Sequence, residues 1–172
     1  MADNVRQATV DDVETIVRLS EGERVERERM DPEFFRKAER SVEAQLAYFR
    51  WLLPQNHVIA LVHETASGID GFAIATLITA PPVLDPGGQT VLIDDFRVAD
   101  PQSWESVGTS LFDTVESEAR KRSAVGIVSI CAHKDDLKRR FLSRLGLRIV
   151  SEWHFRPIRY IPLAGKSGCA RD

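Results

Sequence analysis

Short β-branched apolar runs alternate along this chain with stretches whose apolar residues recur every three or four positions, and the two periods predict strands and helices in turn. Val5 to Ala8 reads as a strand. Thr9 then caps a helix built on Val13, Ile16 and Val17 that ends near Gly22. Charge dominates from Glu21 to Arg40, where Asp31-Pro32-Glu33 offers an N-cap followed by proline at a first helical position. A second helix starts near Ser41, buries Leu46, Phe49 and Leu53, and stops at Pro54 and Asn56.

His57 to Glu64 and Gly71 to Ile78 are apolar runs separated by Thr65-Ala66-Ser67-Gly68-Ile69-Asp70, the pattern of an antiparallel hairpin. Prolines and glycines between Ala80 and Gly88 break regular structure, so that stretch is a loop. Thr90 to Val98 is the next strand, followed by a helix that begins near Ser106 and carries Leu111, Val115 and Ala119. Val125 to Ala132 reads as a buried strand, and Leu137, Phe141 and Leu145 line a helix that Gly146 terminates. Leu147 to Trp153 and Phe155 to Ile161 close the pattern as two strands, and residues 164–172 form a flexible tail without core residues.

This order predicts one α/β domain over residues 1–163, with a twisted, mixed but mainly antiparallel sheet flanked by helices. Its parallel pair flanks the helix after Gly108, and a ligand is expected beyond the carboxyl ends of that pair. The most informative stretch lies there. Leu92-Ile93-Asp94-Asp95-Phe96-Arg97-Val98 is an acidic strand, and a short loop leads to a helix whose first turn holds Gly108 and small hydroxyl residues. Unpaired amides at such a helix start, together with the positive end of the dipole, suit a diphosphate and so a phosphate-bearing cofactor.

At 172 residues, 43% hydrophobic and 28% charged, the chain is long enough for one full core. Lysine and arginine number 23 against 26 aspartates and glutamates, a net charge of −3, so no electrostatic footprint for nucleic acid stands out. Cys131 lies in an apolar run and Cys169 in a polar one, with no C-x-x-C spacing; they read as free thiols of a reducing compartment, the cytoplasm. The first residues lack the pattern of a secretory signal and no apolar run approaches a membrane span, so no membrane partner is expected. His57, His63 and His154 have no partners at metal-ligand spacing, and no metal site is predicted.

Three segments then combine with the element order. Ser103-Trp104-Glu105-Ser106-Val107-Gly108 precedes the apolar Leu111, Phe141-Leu142-Ser143-Arg144-Leu145-Gly146-Leu147-Arg148 ends the last helix, and Ile93 to Val98 forms the acidic strand. Over Val5 to Ile161 the chain resembles the GNAT superfamily of acyl-CoA-dependent N-acyltransferases. The family's loop reads Gln or Arg, two residues, Gly, one residue, then Gly or Ala; here only Gly108 matches, with Ser103 and Ser106 in the two earlier places. The resemblance implies a fourth and fifth strand that splay apart, with backbone groups near Phe96, Arg97 and Val98 holding the pantetheine arm of acetyl-CoA. It also implies that amides from Ser106, Val107, Gly108 and Thr109 hold the pyrophosphate, and that a homodimer forms through the closing strands with Trp153, Phe155 and Ile158.

Acetyl transfer needs a neutral amine, a polarised thioester and a proton for the departing thiolate. Asp94 or Asp95 is the candidate base and also favours a cationic acceptor; as neighbours on a strand they face opposite ways, and the plainer reading is a salt bridge or a bulge contact. Similar enzymes place a tyrosine acid four residues before the helix-ending glycine, where this chain has Leu142. His133 is then a candidate acid, against a plainer reading as a solvated loop residue. Among Lys134, Lys138, Arg139 and Arg140, one or two side chains, Arg139 foremost, reach toward phosphate while the rest form a solvated face. The sequence thus reads as an N-acetyltransferase acting on a primary amine of a small molecule or peptide. A GNAT-fold protein that binds CoA or another ligand without turnover, or a non-catalytic interaction module, is the alternative.

Overall fold

A computed structural model describes residues 4–158 of the chain. The expected tail at 164–172, Cys169 and the last residues of the expected closing strand lie outside the described residues. Among the described residues five strands pair in chain order: β1 (Val5–Gln7), β2 (Val58–Thr65), β3 (Gly68–Ile78), β4 (Thr90–Val98) and β5 (Gly126–Ser129). The first three pairings are antiparallel and β4 runs parallel to β5, as the strand-helix-strand crossover requires. The helices are α1 (Val13–Met30), α2 (Ser41–Leu52), α3 (Val107–Lys121) and α4 (Asp136–Arg144).

The sheet separates two cores. On one face Val13, Ile16 and Val17 of α1 and Phe49 and Leu52 of α2 pack on Val58, Val62, Phe72 and Ile74. On the other, Leu111, Phe112 and Val115 of α3 and Phe141 and Leu142 of α4 pack on Val91, Ile93, Phe96 and Val98. Pairwise alternation along each strand feeds both cores at once, which is why the strands read as nearly continuous apolar runs.

Several expectations need correction. Thr9 caps a short 3-10 turn, Val10–Asp12, its amide donating to Asp12 Oδ2 at 2.8 Å, and α1 starts only after it. Gly22 does not end α1, which continues to Met30; on this face Ser20 and Glu23 extend the stripe begun by Val13, Ile16 and Val17. A lone glycine lowers helix propensity by about 1 kcal/mol, too little to stop a helix held on both sides. Asp31 does cap, accepting from the amides of Glu33 and Phe34 at 3.2 and 3.0 Å, but only a turn follows. The strand expected over Val125 to Ala132 is confined to Gly126–Ser129.

The expected strand Leu147 to Trp153 is irregular backbone, as are the described residues of the one expected over Phe155 to Ile161. Leu147 still packs against the core, but most of the side chains beyond it are exposed, Trp153 at 86% and Ile158 at 98%. Alternation supplies a strand only when a partner edge accepts it, and no such pairing forms among the described residues.

Candidate active site at the divergence of β4 and β5

The ladder between β4 and β5 runs from Thr90 opposite Gly126 to Ile93 opposite Ser129, and the Ile130 amide still donates to the Ile93 carbonyl at 3.1 Å. Beyond that point the strands part, and Asp94 to Val98 continue against β3 alone. An opening at the carboxyl end of the parallel pair results, where the crossover reasoning placed a ligand.

A bulge sets what faces this opening. Ile93 lies opposite Ala75 and Asp95 opposite Ile74, so Asp94 is an extra residue on β4. Unbroken alternation would send Asp95 and Arg97 to the face of Val91 and Ile93; the inserted residue sends Phe96 and Val98 there instead. Asp95 and Arg97 therefore turn toward α1, and Asp94 is left exposed at the bulge.

On the α1 side the groups are charged. Arg97 donates to both carboxylate oxygens of Glu26, at 2.6 and 2.8 Å, and Arg27 donates to Glu23 at 2.7 Å. Asp95 is partly buried; burial, then the neighbouring Asp94 and Glu23 carboxylates, push its carboxyl up to about 6 despite Arg27 and Lys138. A carboxyl poised there is a competent base at neutral pH.

Lys138 of α4 is 1% exposed, and its side chain reaches β4 beyond the point where β5 parts from it. Its Nζ donates to the Phe96 carbonyl at 2.9 Å, stands 3.8 Å from Glu23 Oε1, and lies 5.7 Å from the ring centres of both Phe96 and Trp104. The Phe96 carbonyl thus points away from β3. By antiparallel alternation the backbone groups of Val98, two residues on, do the same. These are the strand groups that the family resemblance implied for a pantetheine arm. Sequence reasoning placed Lys138 in a solvated basic cluster and missed it. The signal was present, since Lys138 precedes Phe141 and Leu142 by three and four residues and so shares their buried stripe. Glu23 was missed likewise, being seven residues beyond Ile16 on α1.

The approach to α3 differs from a plain loop. Pro101–Glu105 forms a 3-10 turn after the cap made by Asp100, and Trp104 folds inward against Phe96 and Phe141, with ring centres 5.0 and 4.9 Å apart. The Ser106 amide is committed to the Ser103 carbonyl at 3.1 Å, which removes it from the expected set of phosphate donors. Ser103 Oγ donates to the Asp100 carbonyl at 2.7 Å. The amides of Val107, Gly108 and Thr109 belong to the first turn of α3, where no intrahelical acceptor exists. Gly108 is needed for space: a Cβ there would meet Trp104 Cε3 at 2.7 Å and Phe141 Cζ at 3.1 Å.

The remaining candidates lie in the segment after β5 and on α4. His133 is exposed, and its carbonyl accepts from Arg139 at 3.0 Å. Lys134 donates to the Met30 carbonyl at 2.7 Å, tying the loop after β5 to the end of α1. Leu142 is buried in the core. Cys131, a free thiol, is pushed up to about 11 by burial, with the Lys138 ammonium opposing. Among the described residues no group of three or more His, Cys, Asp or Glu side chains is arranged to hold a metal, and no helix is long and apolar enough to cross a membrane. Two surface recesses of about 320 and 250 Å³ lie at the β1 edge, around Arg6, away from the opening.

No protein-family model and no curated protein matches this sequence. Solved structures do. A mutant of the BH1408 protein from Bacillus halodurans superposes with a TM-score of 0.78 at 21% identity, covering 90% of this chain and 99% of that one. A predicted acetyltransferase from Clostridium acetobutylicum, solved with acetyl-CoA, gives 0.67 at 21% identity over 90% and 95%. An aminoglycoside antibiotic 6'-N-acetyltransferase from Acinetobacter baumannii gives 0.66 at 13% identity over 91% and 98%. With its β4 bulge, its parting of β4 from β5 and these neighbours, the chain has the fold of the GNAT superfamily of acyl-CoA-dependent N-acyltransferases.

Proposed function

We propose that this protein is an N-acetyltransferase that moves an acetyl group from acetyl-CoA to a primary amine of a small molecule or peptide. The observation that carries the reading is the opening beyond Ile93 with a raised-pKa carboxyl, Asp95, beside it. The fold neighbours include acetyltransferases, one solved with acetyl-CoA and another named for an aminoglycoside.

The residues fit the donor in two places. Strand groups of Phe96 and Val98 face the opening for the amides of the pantetheine arm, and the first-turn amides of Val107, Gly108 and Thr109 suit the pyrophosphate. Arg139, at the mouth, is the cation for a phosphate oxygen. In the reaction the amine nitrogen bonds to the thioester carbon, the carbon–sulfur bond breaks, and the nitrogen's proton passes to Asp95 directly or through water. Asp94, exposed beside it, adds negative charge that favours a cationic acceptor.

One observation favours a second reading, a GNAT-fold protein that binds a ligand without turnover: Lys138 occupies the Phe96 carbonyl, and Trp104 packs edge-on against the Phe96 ring. The experiment is a pair of measurements. Acetyl-CoA should raise the melting temperature, and a panel of amines should release free CoA thiol from acetyl-CoA. Stabilisation without thiol release supports the second reading. No stabilisation at millimolar acetyl-CoA removes the acetyltransferase reading and leaves a binder of some other ligand or an interaction module.

A further inference from the structure

The fully buried ammonium of Lys138 has no role in the scheme above, and burying a charge is expensive unless it is used or well paired. Its pairing is thin. The Phe96 carbonyl is its close acceptor at 2.9 Å, while Glu23 Oε1 stands 3.8 Å away and already accepts from Arg27. An ammonium has three donors, so with one close acceptor Lys138 keeps hydrogen-bonding capacity to spare. The charged and titratable groups around it are Glu23 and Arg27 from α1, Asp95 from β4, and Cys131 and Asp135 before α4. Lys138 precedes Leu142 by one helical turn, so the two share the buried face of α4, where Leu142 stands in the place of a tyrosine acid.

We propose that Lys138 is the general acid of this site, donating a proton from Nζ to the sulfur of CoA as it leaves. The inference rests on the acetyltransferase reading, in which the thioester lies along β4 at Phe96. As the carbon–sulfur bond breaks, the electron pair stays on sulfur, an N–H bond of Lys138 breaks and an S–H bond forms, leaving a neutral amine. The amine nucleophile's proton is meanwhile on Asp95, and its return to Lys138, through water or the Glu23 carboxylate, resets both groups without any further reactant. The Phe96 carbonyl then holds Nζ on one side of the sulfur, with the Phe96 and Trp104 ring centres each 5.7 Å from it.

The test has a readout independent of turnover. An ammonium beside a thiol favours the thiolate, so CoA bound to the parent should ionise at lower pH than free CoA, followed by thiolate absorbance in the ultraviolet. Lys138→Gln should return that ionisation to the free value while calorimetry shows CoA still bound. It should also lower kcat by roughly a hundredfold or more, with KM for acetyl-CoA little changed. Lys138→Arg, which keeps the charge but does not release its proton, should lose kcat as Gln does. If bound CoA in the parent titrates like free CoA, the proposal is overturned, and that measurement needs no variant to fold. It is equally overturned by a folded Lys138→Gln protein that matches or exceeds the parental kcat, as removal of a mere plug would give. A parent that does not bind CoA at all refutes the acetyltransferase reading itself, a result distinct from either.

Discussion

Arg97 on β4 grips Glu26 on α1 through two hydrogen bonds of 2.6 and 2.8 Å, so the strand that lines the opening and the helix that walls it are fastened at the mouth. A fork of two parallel bonds is specific to guanidinium and carboxylate. Arg97→Lys should therefore fail to restore the contact, and Arg97→Ala should lower stability by about 1 to 2 kcal/mol in urea denaturation. Equal stability of all three proteins would show that the pair fastens nothing.

Catalysis should depend on Asp95 and not on Asp94, because the bulge buries one carboxylate toward α1 and exposes the other. Asp95→Asn should lower turnover by roughly two to four orders of magnitude, and Asp94→Asn by far less. The base works when ionised, so the parental rate should fall as pH drops through about 6, and the Asn protein should lack that limb. Folded Asp95 holds its proton more tightly than the unfolded chain does, so its contribution to stability declines as pH rises between about 4 and 6. Rate and pH profile unaltered in Asp95→Asn would move the base elsewhere.

Gly108 is predicted to tolerate no side chain. Alanine there puts a methyl group 2.7 Å from a Trp104 ring atom that is itself wedged against Phe96 and Phe141. Gly108→Ala should lower stability by about 1 to 3 kcal/mol, and pairing it with Trp104→Leu should recover part of the loss in a double-mutant cycle.

Acid sensitivity should centre on Arg6 and Asp12. Arg6 donates to both Asp12 oxygens at 2.8 and 2.9 Å, which, with the Thr9 amide, holds the Asp12 carboxyl down at about 2. A depressed carboxyl contributes stability that is complete above about pH 4 and lost as pH falls through about 2. Allowing for the solvent around Arg6, the contribution is about 1 to 2 kcal/mol, and Asp12→Asn should flatten the stability profile in that window. An identical acid profile in the Asn protein would contradict this.

Assembly is open to a simple check. Ile149, Val150, Trp153 and Ile158 are exposed in the single chain, more apolar surface than an isolated protein normally shows in one segment. We expect a homodimer through this segment, detected by sedimentation at tens of micromolar and weakened by Trp153→Ser. Monomer alone would discard the dimer.

Most element positions were legible because they rest on local physics. Period two and period 3.6 placed β2, β3, β4, α2 and α3 within a few residues, and the crossover made the β4–β5 pair parallel. The same reasoning located the opening. It also separated Asp94 from Asp95, though it left the choice between them open, because the parity of β4 depends on one inserted residue that shows only against the register of β3.

The local sequence thus determined most of the strands and helices, where the helix after β4 starts, and that Gly108 is special. Tertiary structure alone decided that α1 runs on past Gly22, that Leu147 to Trp153 gains no strand partner, and that Lys138, Glu23 and Asp95 meet. The physical reason is the same in each case. A side chain's burial and its charge environment are set by elements distant in the chain: Lys138 reads as one more surface cation until β4 supplies the Phe96 carbonyl and α1 the carboxylate of Glu23.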